Sequence, residues 1–172
     1  VHKIVVLDAD ISDNRVKLLE GIVDVQIQPI HVLTNPFADF TFNFMTCSAE
    51  LLISAKNTLF LNKRIAYASS SKNHLCVVYK ELCKQFPHKI FLLLNSDGVT
   101  LSTGDEIEKH KLLEDLESIL GSYEVDGFLY SPTIKTGVSI NNAYFHQTFA
   151  YGHMNSVCSR EFTQMLFRAR QL

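Results

Sequence analysis

Short runs of consecutive apolar residues, at 4–7, 65–68, 90–94 and 127–130, recur along the chain with longer helical patterns between most of them. No other feature constrains the fold as tightly. A strand that is apolar at successive positions has no face to give to water, so it belongs inside a sheet. Parallel neighbours need a crossover of a dozen or more residues, which the intervening stretches supply. The pattern therefore predicts an α/β protein: a mainly parallel sheet covered by helices on both faces and joined by right-handed crossovers.

The individual elements follow from periodicity and punctuation. A first strand is expected at 3–7, a short helix at 13–20 closed by Gly21, and an alternating strand at 23–32 interrupted by Pro29. Asn35-Pro36 breaks the chain, and 37–46 reads as extended or irregular. Ser48 is expected to cap a helix carrying Leu51, Leu52, Ala55 and Leu59 on one face. A strand at 64–68, the corner Ser69-Ser70-Ser71 and a helix from 72 to 86 stopped by Pro87 come next. Then follow a strand at 89–94, a polar loop at 95–105, a helix at 106–120, strands at 127–130 and 144–151, and a last helix at 159–171.

At 172 residues, with 47% hydrophobic and 20% charged residues, the chain has the balance of a globular domain and not of a disordered tail. A formal net charge of -2 gives no global positive field, so charge neither argues for nor excludes a nucleic-acid partner. The four cysteines, Cys47, Cys76, Cys83 and Cys158, form no C-x-x-C pair and are expected to be reduced, buried thiols. No apolar stretch nears the roughly 18 residues of a membrane span, and no signal peptide precedes the first strand. A soluble, intracellular protein with no membrane partner is expected. The chain opens at Val1 inside an apolar run and ends at Leu172 just behind a helical pattern, as expected of a piece of a longer protein. Residues 1–34 are read as the end of a preceding unit or a linking segment, and 35–172 as the main domain.

Parallel sheets bind ligands beyond the carboxyl ends of their strands. That rule points at Asp8-Ala9-Asp10, Ser69 to Ser71, Asn95 to Gly98 and Ser131 to Thr136. The Asp-x-Asp behind an apolar strand resembles the signature of haloacid dehalogenase-type phosphatases, which implies a nucleophilic Asp8, an acid-base Asp10 and Mg²⁺ between them. The acidic Gly104-Asp105-Glu106 is out of place for that family, because it precedes a helix with no apolar strand in front.

A second resemblance covers nearly the whole chain. Gln164-Met165-Leu166-Phe167-Arg168-Ala169-Arg170-Gln171-Leu172 resembles the last motif of superfamily 2 helicases, Gln-x-x-Gly-Arg-x-x-Arg. Ser131 and Gly137, six positions apart in YSPTIKTGVSI, resemble the motif before it. Arg64 to Ser71 followed by a helix resembles the first motif of the second helicase lobe, and Asp8-Ala9-Asp10 falls where the family carries its Ser-Ala-Thr-like coupling motif. With the FHQTF strand at 145–149, the set is most similar to the viral origin-binding helicases of herpesviruses and related helicases of other large DNA viruses.

That resemblance implies a RecA-like three-layer sandwich acting as the second, C-terminal lobe of an ATP-dependent DNA helicase in DNA replication. It implies ATP and Mg²⁺ as cofactors, the metal being held by the absent first lobe, since the chain carries no Gly-x-x-x-x-Gly-Lys-[Ser/Thr] loop. Arg168, Arg170 and Gln164 would act on the transferred phosphoryl group, and Gly137, Ser139 and Arg168 would meet the nucleotide. Ser69, Ser70, Ser71, Ser131, Thr133, Lys135 and Thr136 would bind nucleic acid, and Asp8 and Asp10 would couple the two. Single-stranded or duplex DNA, the first lobe and other replication proteins are the implied partners, in the host nucleus or a cytoplasmic viral replication site. Arg168 and Arg170 stand two apart where the family has three, about 200° apart on an ideal helix, so Arg168 ranks first.

Plainer roles exist for each site. Ser69 to Ser71 could cap the next helix, Ser131-Pro132-Thr133 could form a turn, Asp8 could cap or turn the chain, and the two arginines could form surface salt bridges. The whole could also be a RecA-like scaffold without ATP chemistry. The seven histidines lack paired metal spacing, so no metal site is assigned.

Overall fold

The computed structural model of the chain describes residues 43–45, 47–132, 144–153 and 162. The chain divides into two compact units, Val1–Asn43 and Phe44–Leu172, and every element named below belongs to the second. The strands and helix expected within 3–32 lie outside the described residues, and of the helix expected at 159–171 only Phe162 is described, in helical conformation.

Helix α1 spans Ser48–Phe60, with Ala55, Thr58 and Leu59 buried. Its N-cap is Cys47, without a side-chain capping bond, so Ser48 is the first helical residue and not the cap. The helix stops at Asn62, which takes a left-handed φ of 54° as its N–H donates to the Leu59 carbonyl at 3.0 Å. Strand β1 is Ile65–Ser69, entirely buried. Helix α2, Lys72–Gln85, buries Leu75, Val78 and Leu82 and ends before Pro87. Strand β2 is Phe91–Asn95, again wholly buried.

Two expectations fail between residues 95 and 122. The expected polar loop holds a strand, β3 (Gly98–Leu101), folded back antiparallel on β2 with Asn95 opposite Gly98. Gly98 takes φ 141°, which a side chain at this hairpin corner would resist. The expected single helix is two, α3 (Lys109–Glu114) and α4 (Leu116–Ser122). Asp115 breaks them apart: it leaves helical geometry at φ -141°, and its carboxylate accepts from the Ser118 N–H at 3.2 Å to cap α4. Strand β4 is Gly127–Tyr130 and strand β5 is Gln147–Tyr151, the latter shorter than expected because Tyr144 and His146 pack around Arg64 instead.

The sheet order is β3-β2-β4-β1-β5, parallel throughout except for β3. Side chains alternate along the strands into two apolar clusters. Ala66, Ala68, Leu92, Leu94, Phe128 and Tyr130 join Leu112, Leu116 and Leu120 of α3 and α4. Ile65, Tyr67, Phe91, Leu93 and Leu129 join residues of α1 and α2. This is an α/β fold with a mostly parallel five-stranded sheet.

Candidate functional site

Because β2, β4, β1 and β5 run parallel, their carboxyl ends share one rim of the sheet. Backbone pairing continues just past the strands there: the Ser131 N–H donates to the Leu94 carbonyl at 3.0 Å, and the Ser70 N–H to the Tyr151 carbonyl at 3.0 Å. The rim therefore carries, in order, Asn95 at the end of β2, Ser131 behind β4, Ser69 to Ser71 at the end of β1 and Tyr151 at the end of β5. The chain leaves β1 towards β2 and leaves β4 towards β5, in opposite directions from neighbouring strands. Reversals of that kind are where α/β sheets open a ligand crevice.

The serine corner is built by its own hydrogen bonds. Ser69 Oγ donates to the Ser71 carbonyl at 3.0 Å and accepts from the Ser71 N–H at 3.1 Å. Ser71 is the N-cap of α2, its Oγ accepting from the His74 N–H at 3.3 Å. Ser70 Oγ accepts from the His153 N–H at 2.7 Å, tying the corner to the segment behind β5. Ser71 thus performs the capping role, and the amides of the first turn of α2 point to the rim beside it.

The next corner is held by Asn95, which is 5% exposed. Its side-chain oxygen accepts from the Asp97 N–H at 2.8 Å, which fixes the hairpin turn, and its carbonyl accepts from Lys109 Nζ at 3.3 Å. The Asp97 carboxylate is ion-paired with Lys72, the first residue of α2. Two lysines, one aspartate and a set of hydroxyls and amides thus meet at one rim.

Behind the serine corner, His74 lies against Tyr151 with ring centroids 3.8 Å apart and shares a 2.9 Å hydrogen bond with Tyr67 Oη. Burial holds the His74 pKa below its ordinary value. Burial, and then the proximity of Tyr151, pushes the Tyr67 phenol far above the usual tyrosine range. Both groups are neutral at physiological pH, so this stack supports the rim without adding charge to it.

Of the residues expected to act, Ser69, Ser70, Ser71 and Ser131 come together on this rim. Asp8, Asp10, Thr133, Lys135, Thr136, Gly137, Ser139, Gln164, Arg168 and Arg170 lie outside the described residues. Gly104-Asp105-Glu106 does follow a strand, but that strand is the antiparallel β3. Its end lies at the opposite rim, where Ser102 bonds the start of β2 through the Phe91 N–H and carbonyl. Among the described residues, no group of three or more His, Cys, Asp or Glu could hold a metal ion. Cys76 and Cys83 are half-buried, but Cys47 is exposed at the start of α1, against the expectation of burial; all three are free thiols.

Sequence reading passed over Lys72, His74, Lys109 and Tyr151. Lys72 carried a usable signal, a cation directly behind a hydroxyl corner. Lys109 and Tyr151 are brought to the rim only by tertiary folding. No family model, curated protein or solved structure matches the chain. No helix among the described residues is long and apolar enough to cross a membrane.

Proposed function

We propose that the chain is the second, RecA-like lobe of an ATP-dependent DNA helicase or translocase, a three-layer sandwich that works in replication with a first lobe supplying the phosphate loop and the Mg²⁺ ligands. The observation that carries this reading is the shared rim: Ser69 to Ser71, Ser131 and the Asn95 turn at the carboxyl ends of three adjacent parallel strands. Amides, hydroxyls and two lysines suit the phosphates of a nucleic-acid backbone, and such contacts carry little base information. That suits a motor that must move along any sequence.

In this reading Arg168 is the arginine finger towards ATP bound between lobes, an effect worth roughly 10³–10⁵ in rate. Arg170, Gln164, Gly137 and Ser139 flank the nucleotide, while Thr133, Lys135 and Thr136 extend the DNA contacts of Ser131. Asp8 and Asp10 take the coupling role in the same reading. The isolated chain is not an ATPase.

The deciding experiment measures DNA-stimulated ATPase in the full-length protein. Arg168→Ala is expected to abolish turnover with unchanged thermal stability, and a variant that turns over like wild type would leave a scaffold role. Hydrolysis of p-nitrophenyl phosphate by the isolated chain with Mg²⁺, lost on Asp8→Asn, would instead establish the phosphatase reading.

A further inference from the structure

The corner at the start of α2 has more positive character than its fold requires. Helix N-termini are the positive pole of the macrodipole and favour acidic residues in the first turn. The 14-residue α2 has no acidic residue there and begins with Lys72. A cation at that position is locally unfavourable, and the ion pair that compensates it comes from outside the helix, from Asp97 on the turn between β2 and β3. The pair is open to water, with the two side chains 42% and 69% exposed, so it contributes little to stability. Asp97 is not needed to form its turn through that carboxylate either, since the turn is held by its backbone N–H on Asn95 Oδ1 at 2.8 Å.

We infer that Asp97 is an internal stand-in for a DNA phosphate: its carboxylate occupies Lys72 when the rim is free, and a backbone phosphate takes its place when single-stranded DNA lies along the rim. The inference rests on the nucleic-acid reading of the rim and adds a regulator to it. A carboxylate and a phosphate oxygen both accept from an ammonium, so the two compete for the same donor. The exchange keeps Lys72 paired in both states, and it lowers affinity for DNA by the strength of the internal pair. A lobe that must release its strand each cycle gains from such a weakened grip.

The test is the binding of a fluorescein-labelled oligo-dT to the 172-residue chain by anisotropy, over a series of salt concentrations. Asp97→Asn keeps the backbone bond and the side-chain size but removes the competing charge. It is expected to tighten binding about twofold to fivefold, the range that an exposed ion pair allows, and to steepen the logarithmic salt dependence, because in wild type salt also weakens the internal pair that competes with the phosphate. In a Lys72→Ala background the same substitution is expected to change nothing. A gain of equal size in both backgrounds would mean that Asp97 acts only as a remote negative charge, and the inference fails. Wild-type binding that Asp97→Asn leaves unchanged or weakens also overturns it, while the rim remains a DNA site. If neither wild type nor any variant binds the oligonucleotide, the DNA reading itself falls and the inference goes with it.

Discussion

Tyr67 Oη and His74 Nε2 lie 2.9 Å apart, so the middle of β1 is hydrogen-bonded to the first turn of the helix that follows it. Tyr67 is fully buried, and its ring fills the cluster shared with α1 and α2. The bond therefore fixes where α2 begins relative to the rim. Tyr67→Phe keeps the ring and deletes only this bond. Because His74 is partly open to water, its nitrogen can find another partner, and the cost is expected to be about 1 kcal/mol, or a fall of about 2–4 °C in melting temperature for a chain of this size. Calorimetry of the two proteins checks it.

The same histidine gives the fold a pH dependence of definite sign. Burial lowers the His74 pKa in the folded state from its ordinary value of 6.5, so the unfolded chain takes up this proton first as pH falls. The stabilisation is fully present above about pH 6.5 and is lost as pH falls through the lower folded-state value. Urea unfolding of wild type and His74→Gln at several pH values should show the wild-type advantage shrinking between neutral and mildly acidic pH. An advantage that grew on acidification would reverse the sign and refute the assignment.

How much of this was legible in the sequence depended on whether a residue's neighbours in the chain are also its neighbours in space. Strand β4 lies where its apolar run put it, and α2 matches because Ser71 and Pro87 punctuate both ends. Strand β3 was hidden because Gly-Val-Thr-Leu offers too few residues to alternate, and only pairing with β2 makes it a strand. The break at Asp115 was masked by Leu112, Leu116 and Leu120, whose four-residue spacing runs through it and serves the same cluster on either side. At the rim, the serines could be nominated because they directly follow strands. Lys109 could not, since 14 positions of chain separate it from the Asn95 carbonyl that it meets.

Gly127 opens β4, and two opposed effects decide what alanine would do there. Glycine in a strand costs about 0.5–1 kcal/mol relative to alanine through backbone entropy, which favours substitution. A Cβ at this position would sit 2.7 Å from Phe91 Cδ1 and 3.0 Å from Cε1, against a ring with no exposure and no room to turn aside. Overpacking of that kind costs about 1–3 kcal/mol, so it should win. Gly127→Ala is expected to destabilise, measured by chemical denaturation. Gly121→Ala, whose Cβ would meet nothing within 4 Å on α4, is expected to stabilise by up to about 1 kcal/mol.

Asp126 organises the rim opposite the candidate site. One carboxylate oxygen meets Lys89 Nζ at 3.1 Å and the other accepts from the Ile90 N–H at 2.9 Å. Its own N–H donates to the Ile90 carbonyl at 2.8 Å, and its carbonyl accepts from the Ile65 N–H at 2.9 Å. One residue thus sets the start of β2, β4 and β1 together. The Lys89 side chain is only 7% exposed, so removing its partner strands a poorly solvated ammonium that keeps just the 3.3 Å contact to Asn62 Oδ1. Asp126→Ala should therefore cost about 3 kcal/mol, more than the pair itself contributes. The distinction can be measured with a double-mutant cycle. If most of the loss is the unpaired charge, Lys89→Met in the Asp126→Ala background should restore more than half of it, leaving chiefly the lost bond to the Ile90 N–H. A double variant no more stable than Asp126→Ala would mean instead that the carboxylate matters mainly as the backbone acceptor that aligns the three strand starts.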